Sequence, residues 1–207
     1  SLKVDLDEIS VKTRADMNGD LENKVECLWL AIYNVRTGER TFSKFYTPNG
    51  DFPEIEYKFG AITDIMTESG NSYIVAVANY ENNIALDLAS NNGADKDTEQ
   101  ELENLLAAAD TWDKYRAIAI KQRSDGEDIH IEAPAEAIVM QGSYRALGHQ
   151  NDYTEDEGAE TVGIQPGTNN LSGMIHLRRI WTQNKFTIKP SDDIISIELV
   201  NVEVVNV

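Results

Sequence analysis

The chain has 207 residues, 36 of them Asp or Glu and 18 Lys or Arg, for a formal charge of −18 at pH 7. A field of that sign repels phosphate backbones and anionic membrane surfaces, which excludes generic nucleic-acid binding. Apolar residues make up 41%, enough for a folded core, and no apolar run approaches the ~18–20 residues of a membrane helix.

The pattern begins at once. Leu2, Val4 and Leu6 alternate with Lys3, Asp5 and Asp7, and the phase then slips by one residue to Ile9 and Val11. A bulge would produce that slip. No signal peptide precedes this strand, so the chain is expected either to be cytosolic or to have lost a leader. Residues 28–35 form a nearly continuous apolar run, which predicts a central strand. The turn Arg36-Thr37-Gly38-Glu39 leads into a partner over 40–46, with Gly38 free to take positive φ. Residues 57–62 and 72–79 read as further strands. In the latter, Ile74, Ala76 and Ala78 share one face and Tyr73, Val75 and Val77 the other, so burial is expected on both sides.

One helix is predicted. Thr98 with Glu101 has the form of a capping box, opening the stripe Leu102, Leu105, Leu106, Ala109, Trp112. Residues 91–97 before it read as a loop. Residues 116–122 and 128–132 flank Ser124-Asp125-Gly126, a hairpin signal. A short strand ends at Met140, before Gln141-Gly142. Residues 148–173 are polar and glycine-bearing, which predicts a long loop with a short strand at 161–164. A long strand follows over 174–189. After the turn Pro190-Ser191-Asp192-Asp193, residues 194–207 return as a last strand. Its end on Val204-Val205-Asn206-Val207 is expected to continue in the native chain or to dock on something. About ten strands and one helix make a mainly β chain, an antiparallel β-sandwich with one helical insertion.

Chemistry is sparse. Cys27 is the one cysteine and lies in the apolar stretch Val25-Glu26-Cys27-Leu28-Trp29-Leu30, so it is expected to be a buried, inert thiol. His130, His149 and His176 stand at no metal-ligand spacing. No HExxH pair, nucleophile elbow, Walker loop or dinucleotide fingerprint occurs, and nothing selects an acid–base pair from the carboxylates. Asp16, Asn18 and Asp20 stand at the first, third and fifth places of a calcium loop. Leu21 and Cys27 then occupy the places that need Gly and a bidentate Glu, so a polar turn is expected. The acidic cluster at 152–157 reads as a solvated loop. Trp181 is the one tryptophan left over for a sugar platform, because Trp29 belongs to a strand and Trp112 to the helix stripe. No metal and no cofactor are therefore expected.

Four segments, in order, carry a resemblance. They are Lys12-Thr13-Arg14-Ala15-Asp16 after the first strand, with 25–33 following; Tyr73-Ile74-Val75-Ala76-Val77-Ala78-Asn79; Ile138-Val139-Met140-Gln141-Gly142-Ser143; and Ile175-His176-Leu177-Arg178-Arg179-Ile180, with Phe186-Thr187-Ile188 and Val205-Asn206-Val207 beyond it. The set resembles the fimbrillin superfamily of Bacteroidetes, the subunits of type V pili. Trp181-Thr182 stand where the family often has Ala-Lys. The resemblance implies one N-terminal, transthyretin-like sandwich domain over 1–207, with a second domain after it, and assembly in place of enzymatic activity. It implies export as a lipoprotein through the outer membrane to the cell surface, and removal of the first strand by an arginine-specific protease. A strand of another pilus subunit then fills the groove. A host protein or glycan is a further partner it admits.

On that reading Leu2, Val4, Leu6, Ile9 and Val11 form the removable strand and Arg14 is the candidate processing site. Burying five such side chains contributes on the order of 7–15 kcal/mol before entropy. Arg36 and Arg40 are poorer candidates, because a tight hairpin resists entering a protease cleft. The alternative function is a surface glycan-binding β-sandwich module built around Trp181.

Overall fold

The computed structural model describes residues 3–11, 25–46, 58–59, 65–81, 83–89, 98–121, 139–146 and 159–180. Eleven strands and two helices lie within them. The strands are β1 (Lys3–Val11), β2 (Leu28–Asn34), β3 (Arg40–Tyr46), β4 (Lys58–Phe59), β5 (Gly70–Ala78), β6 (Ile84–Asp87) and β7 (Glu99–Glu101), followed by β8 (Ile118–Lys121), β9 (Met140–Ala146), β10 (Val162–Ile164) and β11 (Thr168–Arg179). The helices are α1 (Leu102–Ala108) and α2 (Trp112–Arg116).

An eight-stranded sheet runs in the order β3-β2-β5-β9-β11-β1-β4, with β10 also pairing β5. A three-stranded sheet runs β7-β6-β8. Every pairing is antiparallel except that of β1 with β11. The mainly β sandwich read from the strand pattern is what the chain forms.

Strands β2 and β5 are the middle of the molecule, and the reason is visible in their side chains. Leu28, Leu30 and Ile32 join Ile74, Ala76 and Ala78 in one apolar cluster. Trp29, Ala31 and Tyr33 join Val75 and Val77 in a second, on the opposite face. All seven residues of β2 are buried. The first cluster also takes in Leu171, Ile175 and Leu177 of β11 with Met140 and Tyr144 of β9, strands of the same eight-stranded sheet, in which β9 joins β5 to β11. The second cluster is closed by α1, through Leu102, Leu105 and Leu106, and by the small sheet through Ala85, Ile118 and Ile120.

Seven aromatic rings fill this second layer. Trp29 stacks on Tyr115 at 5.7 Å and lies 6.3 Å from Phe45. Tyr73 stacks on Trp112 at 4.4 Å, Tyr33 meets both Trp112 and Tyr115, and Phe45 meets Tyr80 edge-on at 5.0 Å.

The helical segment differs from its prediction. The stripe is buried as expected at Leu102, Leu105, Leu106 and Ala109, with Trp112 packed beside it. The helix does not start at the capping box, however. Glu99–Glu101 pairs with Leu86, Ala85 and Ile84 as β7, and α1 begins after Glu101 with no side-chain cap. The chain also breaks between α1 and α2. Tyr33 donates its hydroxyl to the Ala109 carbonyl at 2.8 Å. Arg40 donates Nη1 to Leu106 O and Nη2 to Ala107 O, both at 3.0 Å. Leu106 O also accepts from Ala109 N at 3.4 Å; carbonyls at a helix end are short of donors within the helix, and a cation there also suits the helix dipole. A fresh cap then starts α2, where Thr111 Oγ1 accepts from Lys114 N at 3.3 Å.

Two strand predictions were too short. Residue 140 begins β9 and does not end a strand, because β9 has partners on both sides that carry it through Gly142. Strand β11 starts at Thr168, inside the predicted loop, since β1 pairs with it from Lys3↔Thr168 onward. The predicted strand ends at 79 and 189 and the returning strand over 194–207 fare differently. Residue 79 lies just past β5, while residues 181–207 fall outside the described residues.

Asn79 ends β5 in the left-handed region at φ 58°, where Asn is among the few side chains tolerated. It is 3% exposed. Its Oδ1 accepts from Glu26 N at 2.8 Å, and its own N–H donates to Cys27 O at 2.9 Å. That is a physical reason for the Ala-Asn ending of this strand. Asn79→Ala is expected to cost about 2–3 kcal/mol, from left-handed strain plus a lost buried hydrogen bond. Asn79→Gly should cost about 1 kcal/mol, because glycine takes that φ freely. Urea denaturation of the three proteins checks the order.

Candidate functional site: the N-terminal strand and its docking edge

Residues 3–11 of the apolar-alternating stretch form β1, and the slip in their pattern has a structural counterpart. From Lys3↔Thr168 to Leu6↔Leu171 the register is constant. It shifts between Leu6 and Glu8, then runs Glu8↔Met174, Ile9↔Ile175, Ser10↔His176, Val11↔Leu177. Two steps on β1 span three on β11, so the extra residue of the bulge lies on β11, not on β1 as the sequence alone suggests. The effect is to keep the apolar positions of β1 in step with one face of β11. Leu6, Ile9 and Val11 are register partners of Leu171, Ile175 and Leu177, which are 7%, 0% and 0% exposed.

Gly173 lies within the shifted stretch of β11, and its close contacts are with β9 on the other edge. A methyl group at that position would overlap the Arg145 carbonyl and the Tyr144 ring. Only glycine lets β9 approach so closely there.

On its other side β1 pairs with β4 at Ile9↔Phe59 and Ser10↔Lys58, the pairs that the described residues show. Strand β11 is therefore covered along one edge by β9 and along the other by β1. Strand β1 itself lies between β11 and β4, held by eight register pairs to the first and two described pairs to the second, and its removal would bare a long row of backbone donors and acceptors on β11.

Of the predicted site residues, Val4, Leu6, Ile9 and Val11 lie in β1. Leu2 and Arg14 lie outside the described residues, as do the Asp16–Asp20 turn, the acidic cluster at 152–157, His130, His149 and Trp181. The two rejected arginines are both held. Asn34 Oδ1 accepts from the N–H groups of Arg36 and Thr37, at 2.9 and 3.2 Å, and Gly38 takes φ 73° in the same turn. Arg40 carries the end of α1. Neither backbone is free to extend into a protease cleft. Cys27 is 2% exposed, and burial pushes its thiol up to about 11, so it is neutral at physiological pH. Burial likewise raises the phenols of Tyr33 and Tyr115. Among the described residues no group of three or more His, Cys, Asp or Glu is placed to hold a metal ion.

Sequence comparison adds no name: no family model and no curated protein matches the chain. Comparison of folds finds the tip fimbrial protein Mfa3 from Porphyromonas gingivalis, with 14% identity over 86% of this chain and 48% of that one, at a TM-score of 0.47. A protein assigned to cell adhesion from Parabacteroides distasonis follows, with 14% identity over 86% and 45% and a TM-score of 0.44. A fimbrial assembly protein of the same species shows 13% identity over 86% and 51%, at 0.34. These neighbours in fold are fimbrial and adhesion proteins, the group that the sequence motifs resemble. The chain spans about half the length of each.

Proposed function

We propose that this chain is a structural or adhesive subunit of a bacterial surface fimbrium that assembles by strand exchange. An arginine-specific protease cuts at Arg14, β1 leaves, and a strand of a neighbouring subunit takes its place on β11. The observation that carries the reading is the pairing of β1. It is the first of the described strands, it runs parallel to β11 while the other described pairings are antiparallel, and its apolar positions keep register with Leu171, Ile175 and Leu177. Parallel addition of a separate segment to an open edge is β-augmentation, with backbone pairing giving affinity and alternate side chains giving specificity. The four motif segments support the same reading, as does the strand-like apolar pattern that precedes Arg14. On the same reading the subunit is exported as a lipoprotein, continues into a second domain and has no enzymatic activity.

Limited trypsin digestion of the folded protein with N-terminal sequencing tests it. A new N-terminus at Ala15 ahead of any cut at Arg36 or Arg40 is the expected outcome. Persistent resistance at Arg14, with cutting elsewhere, contradicts it.

A further inference from the structure

Strand β11 alternates without a break through the stretch that β1 covers. Leu171, Gly173, Ile175 and Leu177 are all buried, at every second position, so their face suits a strand whose apolar positions recur with the same even spacing. Strand β1 lacks that spacing. Its register partners for Leu171, Ile175 and Leu177 are Leu6, Ile9 and Val11, which stand at i, i+3 and i+5 against i, i+4 and i+6. We propose that β1 is one residue too short for the edge it covers, and that the occupant this edge fits best is a strand of another chain with apolar residues at i, i+4 and i+6. The inference rests on the strand-exchange reading and gives the exchange its direction.

The ladder carries the cost of the mismatch. Between the pairs Leu6↔Leu171 and Glu8↔Met174, β1 advances two residues and β11 three, which in extended strands are spans of about 6–7 Å and about 10 Å. Asp7 is left against both Ser172 and Gly173, so one of those residues has no counterpart and the row of backbone bonds is interrupted. On its other edge β11 holds a constant register with β9 from Gly173↔Ala146 to Arg179↔Met140. From Gly173 onward the strand is therefore regular, and the extra residue is extra only relative to β1. The pairing with β1 is also parallel, the slightly weaker of the two ladder geometries.

A strand with one more residue between its apolar positions meets β11 one-to-one along the whole edge and keeps every apolar partner that β1 has. In the uncut chain the short strand still wins, because it is tethered and its effective concentration at the edge is high. Cutting the tether removes that advantage, and a strand with even spacing then replaces β1.

The whole chain with one alanine inserted between Asp7 and Glu8 tests the fit. The insertion leaves Leu6, Ile9 and Val11 across from their present partners and gives the unmatched residue of β11 a counterpart. Insertions within a strand ordinarily destabilise by moving side chains to the wrong face. This one is expected to raise the melting temperature by about 2–4 °C, the effect of one net hydrogen bond in a chain of this size. An alanine inserted between Ser10 and Val11 carries Val11 past Leu177 and is expected to lower it. A melting temperature unchanged or lowered by the first insertion overturns the inference. Exchange is read separately. The whole chain is cut once between residues 14 and 15 at an engineered protease site, and fluorescein-labelled peptides of residues 1–14, with and without the alanine after Asp7, are added. The lengthened peptide should displace the resident strand at a concentration about fivefold lower than the native one. Displacement by both at equal concentration overturns this inference and leaves strand exchange standing. Entry of neither peptide overturns the exchange reading, and this inference with it.

Discussion

A chain lacking residues 1–14 is expected to melt about 10–20 °C below the intact protein and to elute from gel filtration above its monomer mass. The cause lies in β11. Its Leu171, Ile175 and Leu177 are buried, and the edge that β1 covers would present its backbone groups unpaired. The apolar burial that β1 can supply, on the order of 7–15 kcal/mol before entropy, is as large as the whole net stability of an ordinary domain, about 5–15 kcal/mol. A net loss of about 5 kcal/mol lowers the midpoint by about 2–4 °C per kcal/mol in a chain of this size. The bare edge then recruits another chain. Light scattering coupled to the column and a thermal scan by circular dichroism measure both effects.

The second large effect is at Trp29. Its ring is 0% exposed, stacked on Tyr115 at 5.7 Å with Phe45 beside it. Trp29→Ala leaves a cavity in the layer that joins β2 to α2, and such truncations cost about 3–5 kcal/mol. The indole nitrogen separates this from a polar effect. Trp29 Nε1 is buried with no hydrogen-bond partner among the described residues, so Trp29→Phe forfeits volume but no bond. It is expected to cost about 1 kcal/mol, and removing an unsatisfied donor offsets part of that. Urea unfolding followed by circular dichroism measures both variants. Equal losses for Phe and Ala would show that the ring's volume is not what holds this layer.

What the sequence reveals here depends on whether neighbours or local residues decide the structure. Strands β2 and β5 were legible because both faces are buried, and a two-sided strand must be apolar at every position. The slip in β1 was legible for a similar reason, since its apolar positions follow the face of β11 and change phase where the register shifts. Strand β11 was half missed: Asn169 and Asn170 read as loop, and only the arrival of β1 at Lys3 makes them strand. The capping box at Thr98 misled because three residues that could cap a helix pair with β6 instead.

Arg116, Arg145 and Arg178 lie far apart in sequence, and only the pairing of β9 with β11 and the packing of α2 bring them together. Alternation of Gln141, Ser143 and Arg145 along one strand was the single hint, and it was hidden by ending the predicted strand at Met140.

The reading of β1 as a replaceable strand is tested most directly by giving it back. A fluorescein-labelled peptide of residues 1–14 is titrated into the chain that lacks them, and anisotropy, elution volume and melting temperature are followed together. The account requires saturable one-to-one binding, return to the monomer and recovery of the lost melting temperature, all abolished when Val4, Leu6, Ile9 and Val11 are replaced by Asp in the peptide. A truncated chain that is already monomeric, melts like the intact protein and ignores the peptide would contradict it.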